Sequence, residues 1–191
     1  GSIRNDNFYA SVRGYESARA AALLDDNIPE SVYDSLVEAV SNSTATIERY
    51  YNLRSRLIGV DELALYDLYV PLSPAPERKF SIEEAVETVL GSLSALGDTY
   101  TSDLRNLMGK RTVDWHETAG KNSGAYSSGS YGANPVILMN WNGSTDHVFT
   151  LAHEAGHQMH TFYSQANNPF HYAGYSIFLA EVASTINETL L

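Results

Sequence analysis

Residues 150–160 read TLAHEAGHQMH and hold three histidines and one glutamate within a single helical pattern. Apolar positions recur through it at helical spacing, which predicts a helix with one face turned to a core; they are Phe149, Ala152, Gly156, Met159 and Tyr163. At about 100° and 1.5 Å per residue, His153 and His157 lie only about 40° apart and one turn above the other. The stretch therefore predicts a helix that presents two imidazoles side by side.

Two imidazoles at this spacing can close on one zinc ion, with nitrogen–zinc distances of about 2.0–2.1 Å. Glu154 is next to the first imidazole, so it can reach water at the metal without binding the metal itself. The HExxH spacing thus predicts one Zn²⁺ per chain, with His153 and His157 as ligands and Glu154 as general base. The alternative is a helix with two surface histidines and a solvated glutamate, in which the motif is accidental.

The third ligand decides the subclass of such a site. A metzincin would need Gly at position 160 and His at 163, where this chain has His160 and Tyr163, so that class is excluded. His160 lies on nearly the same helical face but about 7.5 Å along the axis from the midpoint of the pair. Glu181 interrupts the apolar stretch 177–183, where a carboxylate is costly unless it is paired or bound to a cation. Glu181 is therefore the predicted third ligand, with His160 as the alternative.

Two further residues of the predicted last helix lie on the same stripe as Glu181. Thr185 and Glu188 follow it at the i+4 and i+7 positions. Either could steady a liganding histidine through the ring nitrogen that does not bind the metal. A solvated Glu188 is the alternative, and so is a Glu181 that only faces a polar neighbour or water.

The composition excludes several classes of partner. Twelve Lys and Arg against 23 Asp and Glu give a net charge of -11, which would repel the phosphate backbone of a nucleic acid. No apolar run approaches the roughly 20 residues needed to cross a bilayer, so no membrane partner is expected. The chain has no Cys, so any metal must bind His, Asp or Glu, and a cytoplasmic location fits.

The fold predicted from periodicity is mainly α with a small β-sheet beside the active site. Gly1 and Ser2 look like a scar from tag removal, and residues 3–108 form a helical part. The predicted helices there span about 7–24, 29–57, 62–69, 81–97 and 98–108, the second of them with a weak Ser/Thr stretch near 42–46.

Residues 109–191 are predicted to hold the small sheet and the zinc-binding helices. Strand candidates at 112–117, 124–131 and 135–141 precede helices at about 146–164 and 175–191. The two parts are expected to form one catalytic domain, truncated because an unfinished helical pattern runs through the last residues.

Three stretches resemble the oligoendopeptidase F branch of the thimet-oligopeptidase-like zinc peptidases. They are GKNSGAYSSG at 120–129 with Asn140-Trp141, the segment 150–160, and YSIFLAEVAST at 175–185. The resemblance covers nearly the whole chain from about residue 6, including RGYESA at 13–18 and YDLYVP at 66–71.

The resemblance implies a mainly helical zincin fold, with two lobes around a deep channel that admits short peptides. Carried over by motif, His153 and His157 would be zinc ligands, Glu181 the third ligand and Glu154 the general base. The stretch 124–131 would be strand backbone that binds peptides by strand addition. The implied function is a zinc metalloendopeptidase that hydrolyses internal bonds of oligopeptides. A peptide-binding module without catalysis and a helical scaffold are the alternatives.

The chain departs from the family pattern in two respects. Ala155 stands where a larger apolar residue is common. In this family, Tyr and His groups that stabilise the transition state come from a segment further downstream, and an N-terminal lobe precedes the matching part. Both are expected to lie outside these 191 residues, which are interpreted as an internal fragment of weak or no activity.

Overall fold

Helices account for most of the chain in the computed structural model, which describes residues 1–72 and 78–191. The chain divides into two compact units, Gly1–Ala75 and Pro76–Leu191. The organisation as one catalytic domain stays a prediction. Among the described residues, no helix is both long and apolar enough to cross a bilayer.

The first unit consists of helices in series. They are α1 (Ser2–Val12), α2 (Ala18–Leu24), α3 (Glu30–Asn42), α4 (Thr44–Ile58) and a 3₁₀ turn at Leu65–Tyr69. The helix predicted over 29–57 is two helices, because the chain is interrupted at Ser43, within the Ser/Thr stretch that the sequence indicated as weak. There the hydroxyl donates to the carbonyl of Ala39, a local hydrogen bond that competes with helix continuation.

The single helix predicted over 7–24 is wrong. Gly14 adopts a left-handed backbone conformation with φ of 80°, which glycine tolerates and which ends the first helix. Ser17 then accepts a hydrogen bond from the main-chain N–H of Ala20 and caps α2. A break of this kind depends on one glycine conformation and one capping hydrogen bond, which the apolar periodicity does not describe.

The second unit contains the remaining helices and the strands. They are α5 (Ile82–Ser92), a 3₁₀ turn (Leu93–Leu96), α6 (Asp98–Met108), β1 (Val113–Asp114), β2 (Tyr126–Ser128), β3 (Val136–Leu138), α7 (Thr145–Asn167), a 3₁₀ turn (Phe170–Tyr172) and α8 (Ile177–Leu190). The capping box predicted at Ser81 and Glu84 is confirmed, since each side chain bonds the main-chain N–H of the other.

The three strands form one small sheet in the order β1-β3-β2. β3 runs parallel to β1 and antiparallel to β2, with Ser127 opposite Ile137. β2 is therefore at an edge of the described sheet, and it contacts α7. The predicted fold class, mainly helical with a small sheet, is confirmed.

The apolar core of this unit lies between α5, α6, the sheet and one face of α7. Its fully buried side chains include Val89, Leu93, Leu104, Leu107, Ile137, Met139 and Leu151. On the predicted apolar face of α7, Ala152, Gly156 and Met159 are buried, whereas Phe149 is 40% exposed. The periodicity thus predicted which side of α7 is buried, although Phe149 near its start is exposed and Tyr163 is only partly buried.

Helices α7 and α8 pack against each other more closely than two side-chain layers would permit. A Cβ added at Gly156 would lie 2.6 Å from the carbonyl oxygen of Ala183 and 2.7 Å from the Cα of Ser184. The buried amide of Asn187 donates to the carbonyl of Ala152 at 3.1 Å. Gly156 and Asn187 thus fix the distance and the register between the two helices.

We expect Gly156→Ala to destabilise the protein by about 1–3 kcal/mol, because the added methyl group must push α8 away. Gly91→Ala is the matched control, since Gly91 is also helical and a Cβ there meets nothing within 4 Å. It should raise the free energy of unfolding by roughly 0.5–1 kcal/mol. Denaturant unfolding of both variants is the measurement, and equal stabilisation by the two substitutions would contradict the close packing.

Candidate metal centre

The structure brings His153, His157 and Glu181 together. The Nε2 atoms of the two histidines lie 3.1 Å apart. Oε2 of Glu181 is 3.5 Å from Nε2 of His153 and 3.7 Å from Nε2 of His157. Two donors come from consecutive turns of α7 and the third from α8, so the close packing of the helices at Gly156 assembles the group.

The spacing and chemistry of these donors fit a zinc ion. Ligand atoms about 2.0–2.1 Å from zinc in a tetrahedral arrangement are about 3.3–3.4 Å apart, and the three separations here run from 3.1 to 3.7 Å. Two imidazoles and one carboxylate also form a known catalytic zinc set, which keeps a fourth position open. The assignment of these residues as zinc ligands stays a prediction.

The electrostatics around His157 favour the form that binds metal. Burial, and then the neighbouring His153, lower the pKa of His157 from its ordinary value of 6.5. The carboxylate of Glu181 and a hydrogen bond to the carbonyl of Ala180 act in the opposite direction. Since the net pKa shift is downward, the imidazole is neutral at pH 7, as a metal ligand must be.

Glu154 lies beside the two imidazoles but in a different environment. The residue is only 6% exposed, and its Oε2 has no hydrogen-bond partner among the described residues. Burial raises the pKa of Glu154, while His153 and the main-chain N–H of Ser127 in β2 partly oppose that rise. A buried carboxylate with a free oxygen and a raised pKa is suited to taking and returning a proton.

Helix α8 supplies polar contacts behind the predicted ligands. The hydroxyl of Ser184 donates to Oε2 of Glu181 at 2.9 Å. Oε1 of Glu188 lies 2.5 Å from Nδ1 of His153. Thr185 donates instead to the carbonyl of Glu181, so of the two residues predicted to steady a histidine only Glu188 contacts one. Ser184 was not predicted, although its i+3 spacing from Glu181 is a signal that could have found it.

His160, the alternative third ligand, is not in the group of donors that the structure brings together. Its ring stacks on that of Tyr175, with centroids 3.8 Å apart and planes 12° apart. His160 lies about one turn beyond His157 on α7, and its ring packs against Tyr175.

The surroundings of Glu181 are less buried than the apolar sequence 177–183 predicted. The apolar residues around it were expected to be buried, but Leu179 and Val182 are about half exposed. The Glu181 side chain is itself 48% exposed. Its place beside the imidazoles follows from the packing of α7 against α8 and not from the desolvation of an isolated acid.

The profile of peptidase family M3 matches residues 2–191. The chain belongs to peptidase family M3. Among curated family relatives, oligopeptidase PepF of Bacillus subtilis is 48% identical over 191 residues, covering 100% of this chain and 28% of its own length. An oligoendopeptidase F homolog of Lactococcus lactis is 42% identical, covering 99% of this chain and 31% of its own length. The chain thus spans about 30% of the length of these M3 relatives.

Two solved structures agree with the M3 assignment. The crystal structure of oligoendopeptidase-F from Enterococcus faecium has 33% sequence identity and a TM-score of 0.58, covering 98% of this chain and 25% of that one. A crystal structure of a Chlamydophila abortus protein has 41% identity and a TM-score of 0.83, covering 98% and 31%. The resemblance to the oligoendopeptidase F branch is confirmed, while the zincin-type arrangement of the site stays a prediction.

We expect Glu154→Gln to stabilise the metal-free protein at neutral pH. Because the folded-state pKa of Glu154 is raised, its contribution to stability is present below its ordinary pKa of 4.5 and is lost as pH rises through the folded value. The variant lacks this loss, so its thermal midpoint should exceed that of the wild type progressively above about pH 4.5.

The control for this comparison is Glu117→Gln, which removes one charge from an exposed side chain in the loop after β1. Thermal midpoints of all three proteins would be measured from about pH 4 to about pH 8, the range over which the raised pKa acts. Parallel pH profiles for the wild type and Glu154→Gln would contradict the buried position of the carboxylate.

Proposed function

We propose that this chain is the zinc-binding catalytic part of a metalloendopeptidase that hydrolyses internal bonds of oligopeptides. The observation that carries the proposal is a three-donor cluster with a buried, unpaired carboxylate oxygen beside it. Membership of peptidase family M3 and relatives named oligopeptidases support the same function.

In the proposed reaction, His153, His157 and Glu181 hold the metal and Glu154 moves protons. Zinc in such a cluster supplies Lewis-acid chemistry, polarising a carbonyl and making water more acidic. Oε2 of Glu154 takes one proton from the attacking water while the water oxygen forms a bond to the scissile carbon. The carboxyl then gives that proton to the amide nitrogen as the carbon–nitrogen bond breaks. In the metal-free protein burial raises the pKa of Glu154, the direction that suits a group which takes and returns a proton.

The edge strand β2 supports a peptide as the substrate. Ile137 of β3 donates its N–H to Thr112 on the β1 side, so its partner Ser127 forms a non-hydrogen-bonded pair with it. The main-chain groups of Ser127 therefore point away from β3, which agrees with its N–H reaching Glu154. A peptide added along this edge would lie next to the proposed base.

We also propose that the protein acts in the cytoplasm. We further propose that these 191 residues alone hydrolyse peptides slowly. The family resemblance assigns oxyanion donors to a segment outside the chain, and losing one such donor typically costs about 100- to 1000-fold in rate. A chain extended to the length of the relatives should therefore cleave peptides faster than this one, and equal rates would contradict the proposal.

We expect Glu154→Gln to lower the rate of peptide hydrolysis by about 10²- to 10⁴-fold, because the general base is lost. It should still bind one zinc ion, whereas His157→Ala should lose stoichiometric zinc. An internally quenched peptide reports cleavage, elemental analysis reports zinc, and Glu117→Gln is the charge-matched control. If the 191 residues are too slow to assay, the substitutions are made in the extended chain.

Each outcome that contradicts the proposal indicates a different alternative. Absence of zinc from the wild-type chain, with no change on mutating His157, would indicate a helical scaffold and an accidental motif. Peptide binding without cleavage, unaffected by Glu154→Gln even in the extended chain, would indicate a binding module. Cleavage by Glu154→Gln at the wild-type rate would remove Glu154 from the mechanism.

A further inference from the structure

A second carboxylate of α8 contacts the cluster from behind and has no part in the proposed hydrolysis. Oε1 of Glu188 is 2.5 Å from Nδ1 of His153, the ring nitrogen opposite the Nε2 atom that faces Glu181 and His157. Both side chains of this pair are partly buried, His153 at 28% and Glu188 at 39% exposure. The contact joins residues 35 positions apart, so the packing of α7 against α8 creates it.

The contact determines which ring nitrogen of His153 carries the proton. An ionised carboxylate can only accept a hydrogen bond, so Nδ1 must be the donor to Glu188. In the neutral ring, Nε2 then keeps its lone pair, and that lone pair faces the cluster. A carboxylate on the far nitrogen also fixes the orientation of a ligating imidazole and raises its basicity.

The second imidazole, that of His157, is oriented by a weaker hydrogen bond. His157 donates to the main-chain carbonyl of Ala180, also on α8. A neutral carbonyl accepts a weaker hydrogen bond than a carboxylate does. Helix α8 therefore contacts both rings, and among the described residues a carboxylate lies on the far nitrogen of His153 while a carbonyl serves His157.

We propose that Glu188 is a positioning residue that holds His153 in the Nδ1–H tautomer and sets the zinc affinity of the cluster. The inference rests on the proposed function, because the tautomer matters only where Nε2 binds a metal. Residues in this role typically change metal affinity by about 10- to 100-fold when they are replaced.

The test compares Glu188→Ala and Glu188→Gln with Glu117→Gln, which removes the same charge from an exposed side chain. Zinc dissociation constants come from competition with a chromophoric chelator. We expect Glu188→Ala to bind zinc about 10- to 100-fold more weakly. Glu188→Gln should lie between that variant and the wild type, because the amide oxygen still accepts from Nδ1, and the control should match the wild type.

A second readout distinguishes positioning from a general loss of stability. Nitrogen-15 NMR of the histidine side chains in the metal-free proteins should show His153 as the Nδ1–H tautomer in the wild type. Glu188→Ala should move it toward the Nε2–H form, while the near-isosteric Glu188→Gln variant keeps the comparison valid if the alanine variant unfolds.

The outcomes separate the two proposals. A wild-type chain that binds no stoichiometric zinc overturns the proposed function. A wild-type chain that binds zinc, with Glu188→Ala and Glu188→Gln unchanged in both affinity and His153 tautomer, overturns only the role of Glu188. An equal loss of affinity in Glu117→Gln would show that net charge, and not the contact with His153, determines zinc binding.

Discussion

The close contact between α7 and α8 at Gly156 is the constraint on which the site depends. One turn of α7 can present two imidazoles, but the carboxylates of Glu181 and Glu188 that contact them come from α8. Because position 156 has no side chain, the main chain at Ala183 and Ser184 can approach it directly. This approach carries Glu181 to the imidazoles and Glu188 to the far side of His153. The glycine is therefore as much a part of the site as the polar residues.

The carboxylates around the two histidines differ in how deeply they are buried. Glu154 is almost completely buried and has a raised pKa, whereas the Glu181 side chain is 48% exposed and hydrogen-bonded to Ser184. A desolvated acid with an unpaired oxygen suits proton transfer, and a hydrogen-bonded carboxylate near two imidazoles suits a cation. Two residues of one type thus fit two roles because of what surrounds each of them.

The sequence predicted those features that depend on local periodicity. The relation between His153 and His157 follows from 3.6 residues per turn, and the capping box at Ser81 follows from side chains three positions apart. The break at Gly14 and the exposure of the apolar residues around Glu181 did not follow, because both depend on bonds or packing that periodicity does not describe. Periodicity thus predicted the relation between the histidines on α7 and the place of Glu188 on the stripe of Glu181, but not the packing of α8 against α7.

The third donor has to come from another element, and the connection between α7 and α8 is what supplies it. A residue one turn beyond an i, i+4 pair is already too far along the axis, as His160 with its ring stacked on Tyr175 illustrates. In this chain the connection of residues 168–176 brings the backbone back to α7 as helix α8. The hydroxyl of Ser164 donates to the carbonyl of Ala173, and the hydroxyls of Thr161 and Tyr175 bond to each other. These bonds tie the end of the connection nearest α8 to α7, and they help to fix where α8 begins beside α7. The position of Glu181 beside the imidazoles thus depends in part on polar contacts between residues that are not themselves proposed metal ligands.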